Sequence, residues 1–170
     1  MTETITKNDP QNRTYTFSWE DPLPVAAAAR SMSGLEFLTK MANQEVPGPP
    51  VMNMIGFRLV KVAPGAVAFT YSPAEQHYNP IGTVHGGILS TVLDSALGCC
   101  IHSTLPAGVG YTTLEIKVNF VRAVLIKTGD LRCEANVIHS GSRIVTSEGR
   151  LVDSQGKLYA HASTTCLIVS

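Results

Sequence analysis

One segment limits what this chain can fold into more than any other. Residues 85–103, HGGILSTVLDSALGCCIHS, carry Ile88, Leu89, Val92, Leu93, Ala96, Leu97, Cys100 and Ile101 at helical spacing. On a helical wheel these positions cover more than half the circumference, a wider stripe than a surface helix shows. Such a helix has to be enclosed on most sides. Its other face holds Gly87, Thr91, Asp94 and Gly98, clustered within roughly 60°. Small residues there let a second backbone or a ligand approach closely. They also keep Asp94 off the apolar stripe, where an unpaired carboxylate would be costly.

The rest of the chain supplies material for the enclosure. Residues 1 to about 20 read as a loose arm. VAAAARSMSGLEFLTKMAN, residues 25–43, predicts one helix, which the prolines of EVPGPP cannot continue. MNMIGFRLVKVAPGAVAFTYSP, residues 52–73, alternates in two runs around Pro64-Gly65 and predicts strand, turn, strand. After the helix come TTLEIKVNFVRAV, GDLRCEANVIHSG, SRIVTSEGRLVDS and KLYAHASTTCLIVS. Each is rich in β-formers and bounded by turn residues, with a hairpin tip at Ser154-Gln155-Gly156. Strands in runs with one long helix among them argue an α+β domain with an antiparallel sheet curled around that helix. The division is an N-terminal arm and helix over residues 1–50 and the main domain over 51–170.

Composition excludes several function classes. Thirteen basic residues balance thirteen acidic ones, so the footprint of a nucleic-acid binder is missing. No run of 18 apolar residues predicts a membrane helix, and MTETITKNDPQNRTYTF lacks a signal-peptide core. The expected location is cytoplasmic. Charged residues are only 15% against 44% hydrophobic, which leans towards an oligomer. Cys99, Cys100, Cys133 and Cys166 form no C-x-x-C pair and read as buried thiols. His102 ends the helix, where it suits the open carbonyls, and His139 and His161 fall in strands. No histidine pair stands at ligand spacing, so neither a metal nor a cofactor is expected.

The helix start carries the chemistry. Gly86 and Gly87 leave first-turn N–H groups uncovered at the positive end of the helix dipole, a setting for an anion or a developing oxyanion. His77, Asn79 and His85 add donors just ahead of it, around a probable turn at Asn79-Pro80-Ile81-Gly82. The alternative is that the glycines serve packing and Asp94 is a structural acid. Arg122, Lys127 and the loop Ser140, Gly141, Ser142 and Arg143 are candidate phosphate contacts, or simply solvated residues near strand ends.

HYNPIGTVHGG, the Asp94 nine residues after His85, and the strand TTLEIKVNFVRAV together resemble the hotdog-fold acyl-CoA thioesterases of the PaaI-like branch. The resemblance spans about residues 52–168, and Ala123 stands where the family commonly has proline. It implies a long central helix wrapped by a curved antiparallel sheet, with an extra N-terminal helical segment in this chain. It further implies a homodimer as the minimal unit, often paired into a homotetramer, with the active site between subunits. Asn79, His85 and Gly86 of one subunit would face Asp94 of the other. The Gly86 N–H would hold the thioester oxygen, with Gly87 beside it on the substrate. Asn79 would orient the carbonyl or the water. Asp94 would act as general base or as nucleophile, and Thr112 would help hold the water. His85 either shapes the helix entry or acts directly. The substrate implied is an acyl-CoA. The rival readings are an enoyl-thioester hydratase and a hotdog protein that binds acyl-CoA without turnover.

Overall fold

The computed structural model describes residues 13–169. Three short helices, α1 (Pro22–Ala29), α2 (Gly34–Ala42) and α3 (Pro50–Ile55), precede β1 (Phe57–Ala63) and β2 (Ala66–Tyr71). The central helix α4 (Gly86–His102) follows, and then β3 (Gly110–Phe120), β4 (Leu131–Ser140), β5 (Ile144–Asp153) and β6 (Leu158–Val169). The six strands make one antiparallel sheet in the order β1-β2-β4-β5-β6-β3.

The sheet curves around α4, which touches every strand. Val92, Leu93, Ala96, Leu97, Cys100 and Ile101 are fully enclosed. The inward rows that meet them follow strand alternation, with Leu131, Cys133 and Ala135 buried in β4 and Ala160, Ala162 and Cys166 in β6. Two small residues set how closely helix and sheet approach. Gly149 in β5 would, with a side chain, put its Cβ 3.3 Å from Leu97 Cδ2 and 3.0 Å from the Glu134 carbonyl oxygen. Ser147 beside it donates its hydroxyl to the Leu97 carbonyl at 3.1 Å. This is the architecture the resemblance implies.

The N-terminal third departs from the sequence reading. The single helix expected over 25–43 is two helices, broken at residues 30–33. Ser33 caps α2 by accepting from the Glu36 N–H at 3.2 Å, a start signal stronger than the apolar periodicity that ran through it. Gly34 has a packing reason, since a Cβ there would lie 1.7 Å from the His102 carbonyl oxygen. Residues 52–55 belong to α3 rather than to the first strand. Pro50 opens that helix, and Gly56, at φ 75°, closes it in the left-handed conformation that favours glycine. The arm is not loose from residue 13 onwards. Tyr15 donates its hydroxyl to the Asn53 carbonyl at 3.1 Å, and the Asn53 amide donates to the Ser18 carbonyl at 3.0 Å. Residues 1–12 of the expected arm lie outside the described residues.

Candidate active site

His85 is the N-cap of α4, and its Nδ1 accepts the Gly87 N–H at 2.8 Å. A backbone N–H can only donate, so Nδ1 carries no proton and the ring proton sits on Nε2. The lone pair that a basic His85 would use is therefore occupied, and the geometry favours positioning. The Ile88 and Leu89 N–H groups both point to the His85 carbonyl, at 3.0 and 3.4 Å. Of the two glycines expected to be open, Gly87 is thus satisfied. The Gly86 N–H has no acceptor among the described residues. The Phe120 ring leans over that glycine, 3.0 Å from where a Cβ would stand.

The loop before the helix is built from its own side chains. Asn79 Oδ1 accepts from the Ile81 and Thr83 N–H groups at 3.1 and 3.2 Å, and its amide donates to Thr83 Oγ1 at 3.0 Å. That leaves one amide hydrogen for a ligand, so Asn79 is first a loop-fastening residue. Below it, His77 is buried, with Nδ1 2.9 Å from the Tyr71 hydroxyl and accepting the Ala74 N–H at 3.3 Å. Burial holds its pKa below the ordinary imidazole value. Asn79, Gly86, Phe120 and Arg122 border one cleft of about 290 Å³.

Asp94 opens onto a different cavity, of about 530 Å³. Thr113 donates its hydroxyl to Asp94 Oδ1 at 3.1 Å. The other carboxylate oxygen has no partner among the described residues. The expected hydroxyl was that of Thr112, but adjacent strand residues point to opposite faces, so Thr113 takes the contact and Thr112 is exposed. Tyr111 comes from the same face as Thr113 and crosses the small-residue stripe, so that a Cβ on Gly98 would lie 2.5 Å from its hydroxyl.

Cys99 and His102 also border the Asp94 cavity. Cys99 is half-buried rather than buried like the other three cysteines. Burial, with Cys100 and Asp94 nearby, pushes its pKa up to about 12, which disfavours a thiolate at neutral pH. His102 does not turn out to the helix-end carbonyls. Its ring sits between Phe37 and Tyr111, at centroid distances of 6.0 and 5.7 Å, and burial lowers its pKa. Sequence reasoning missed Thr113, Tyr111 and Phe120. The strand's alternation carried a signal for Thr113, once its inward parity was known.

The proposed phosphate contacts separate into two groups. Arg122 donates to the Leu158 carbonyl near the Gly86 end, and Lys127 is exposed in the short turn Ile126–Thr128. Ser140, Gly141, Ser142 and Arg143 border a cavity with Thr104, Leu105 and Val109, beyond the opposite end of α4. The Gly141 N–H is used within its own turn, donating to the Ile144 carbonyl at 2.9 Å. Among the described residues no cluster of three or more His, Cys, Asp or Glu is placed to hold a metal ion.

The family model of the thioesterase superfamily matches residues 81–160, which include both Gly86 and Asp94. A phenylacetic acid degradation-related protein of Ralstonia eutropha JMP134 is 30% identical, over 76% of this chain and 98% of that one, with a TM-score of 0.69. The chain belongs to the thioesterase superfamily. Its hotdog fold is shared with the PaaI protein of the Escherichia coli phenylacetic acid degradation operon, at 20% identity, TM-score 0.70, over 82% of this chain and 97% of that one. A Halobacterium salinarum protein named among the esterases is 36% identical over 69 residues, 39% of this chain and 44% of its own length. This chain thus matches less than half of that curated relative. Thioesterase membership supports a hydrolase, and no helix of the described residues is long and apolar enough to cross a membrane.

Proposed function

We propose that this thioesterase hydrolyses an acyl-CoA to a free acid and CoA, in a site shared between two copies of the chain. The separation of its parts carries the reading. Gly86 and Asp94 stand eight residues apart on one helix, which at 1.5 Å per residue is about 12 Å along the axis. A carboxylate cannot direct water onto a carbonyl held that far away, since general-base catalysis works within hydrogen-bond reach or through one water. A second chain brings the other half within range. β3 offers the means, being an 11-residue strand at the edge of the sheet with exposed Leu114, and such edges readily pair with another copy.

In that site the open Gly86 N–H receives the thioester oxygen at the positive end of α4. Asp94, steadied by Thr113, takes a proton from water as the water oxygen adds to the carbonyl carbon. The tetrahedral oxyanion is held by the Gly86 N–H, a donor typically worth ~10²–10³ in rate. The C–S bond then breaks, and the CoA sulfur leaves as thiolate and takes up the proton that Asp94 gained from the water, which restores the carboxylate. Arg122 and Lys127 lie on the Gly86 side, where the phosphates of CoA would be met. The alternative in which Asp94 itself attacks the carbonyl uses the same free carboxylate oxygen.

A panel of acyl-CoAs with a thiol reagent tests this. Free CoA should appear with the wild type. Binding without CoA release would instead mark a non-hydrolysing acyl-CoA binder, and addition of water to an enoyl-CoA with the thioester intact would mark a hydratase.

A further inference from the structure

The cavity that opens at Asp94 is not walled by the sheet and central helix alone. Its far side is made by the N-terminal helices. Val25, Ala26 and Ala29 come from α1, Phe37, Leu38 and Met41 from α2, and Met52 from α3. Phe37, Leu38 and Met52 are buried and Ala26 is exposed, so the cavity has an apolar floor and an open rim. Glu20 and Asp21 stand on that rim. The R. eutropha relative is matched over almost its full length yet covers only 76% of this chain, so this chain carries extra residues.

We infer that α1, α2 and α3 form the acyl compartment of this enzyme and select neutral apolar acyl groups of medium length or with one aromatic ring. The inference rests on the thioesterase reading of Asp94. A volume of about 530 Å³ falls inside the range of small-molecule sites, ~300–1,000 Å³. It is far more than an acetyl group fills. The floor offers no cation, and burying a carboxylate there without a partner is costly. An acyl chain ending in carboxylate is therefore rejected, and the acidic rim adds to the rejection. Ala26 is the residue best placed to set the length limit, because a larger side chain on this exposed helix position intrudes on the cavity without disturbing the core.

The test compares acetyl-, hexanoyl-, phenylacetyl- and adipoyl-CoA with the wild type, Ala26→Phe and Met41→Ala. Hexanoyl and adipoyl groups have the same chain length and differ in the terminal carboxylate. Hexanoyl- and phenylacetyl-CoA should exceed both acetyl- and adipoyl-CoA in kcat/KM by roughly tenfold or more, the scale set by a few methylenes in an apolar pocket. Ala26→Phe should lower kcat/KM for the two larger acyl groups by roughly tenfold while leaving acetyl-CoA within about twofold. Met41→Ala should shift the preference to longer chains. Wild-type hydrolysis with acyl ratios unchanged in both variants overturns the compartment and leaves the thioesterase reading standing. If the wild type releases no CoA from any substrate, calorimetric titration with hexanoyl-CoA decides separately. Saturable binding that Ala26→Phe weakens keeps the compartment, and absence of binding, or binding equal in both proteins, removes it.

Discussion

The two stretches of α4 assigned to the proposed site use opposite kinds of surface. At Gly86 the proposed functional group is the backbone itself, and side chains are arranged around it: His85 occupies the next N–H, Asn79 fastens the approach loop and Phe120 lies over the opening. At Asp94 the proposed functional group is a side chain, set on a face of small residues, with the Thr113 hydroxyl as its hydrogen-bond donor among the described residues. A donor made of backbone has to sit at a helix end, where N–H groups are unused. Asp94, with one oxygen unpartnered among the described residues, sits mid-helix on a face with room. On the proposed mechanism one chain carries both halves but cannot join them, and a second copy is the simplest way to bring them together.

Removing the carboxylate should have the largest effect. Asp94→Asn keeps shape and hydrogen-bonding atoms but abolishes the base, and turnover should fall by ~10²–10⁴ with the oligomer intact. Turnover near the wild type would break the assignment. At the other half, Gly86→Pro deletes the N–H at the first helical position, where proline's fixed φ fits and His85 already has the extended conformation proline demands. Gly86→Ala keeps the N–H and adds the same crowding against Phe120. The proline variant should be slower than the alanine variant by ~10²–10³ in kcat, and equal rates would remove Gly86 as the oxyanion donor.

The two lesions can then be combined. After subunit exchange between Asp94→Asn and Gly86→Pro chains, about half of the dimers are mixed, each with one intact site, so about a quarter of all sites should recover. Sites held within single chains would recover nothing, because every chain carries one lesion. A smaller effect separates the two threonines. Thr113→Val removes the bond to Asp94 and should cost roughly tenfold in kcat, on the scale of a hydrogen bond to a charged group, whereas Thr112→Val should be nearly silent.

What the sequence disclosed follows the same division. Leu93, Leu97 and Ile101 announce a buried helix because burial on a periodic element leaves a periodic trace. The inward rows Leu131–Cys133–Ala135 and Ala160–Ala162 do so for the same reason. The placement of Asp94 opposite that stripe needed only the wheel. Thr112 came from the resemblance, and the contact of Thr113 with Asp94 was not legible because period two fixes which residues share a face and not which face points inward. The break at residues 30–33 was passed over because VAAAAR and LEFLTKM each favour helix, while the decisive signals are a Ser33 cap and the contact of Gly34 with His102, 68 positions along the chain. That contact is tertiary, so no window around residue 34 contains it. The cavity was illegible for a related reason: its walls come from α1, α2, α3 and α4, and nothing local in any of them marks a shared void.

The smallest expected effect is on stability, and it distinguishes the two stretches by their histidines. His77 lies beneath the Gly86 end, packed with Tyr71 and the Ala74 N–H and with no acid bonded to it among the described residues; His102 lines the Asp94 cavity between two aromatic rings. Burial lowers both pKa values below the ordinary value of 6.5. The unfolded chain then takes up protons at a higher pH than the folded one, so stability rises with pH wherever the unfolded state binds more. The contribution of each neutral imidazole is fully present above about 6.5 and is lost as pH falls from there through the depressed folded value. Denaturant midpoints measured from pH 8 to pH 5 should be level at first and then decline. His77→Gln and His102→Gln should each flatten that decline, whatever they do to the midpoint at pH 8, since neither glutamine can take up the proton. A decline unchanged in both variants would place the acid sensitivity elsewhere. A decline flattened only by His77→Gln would locate it beneath the helix end that carries Gly86.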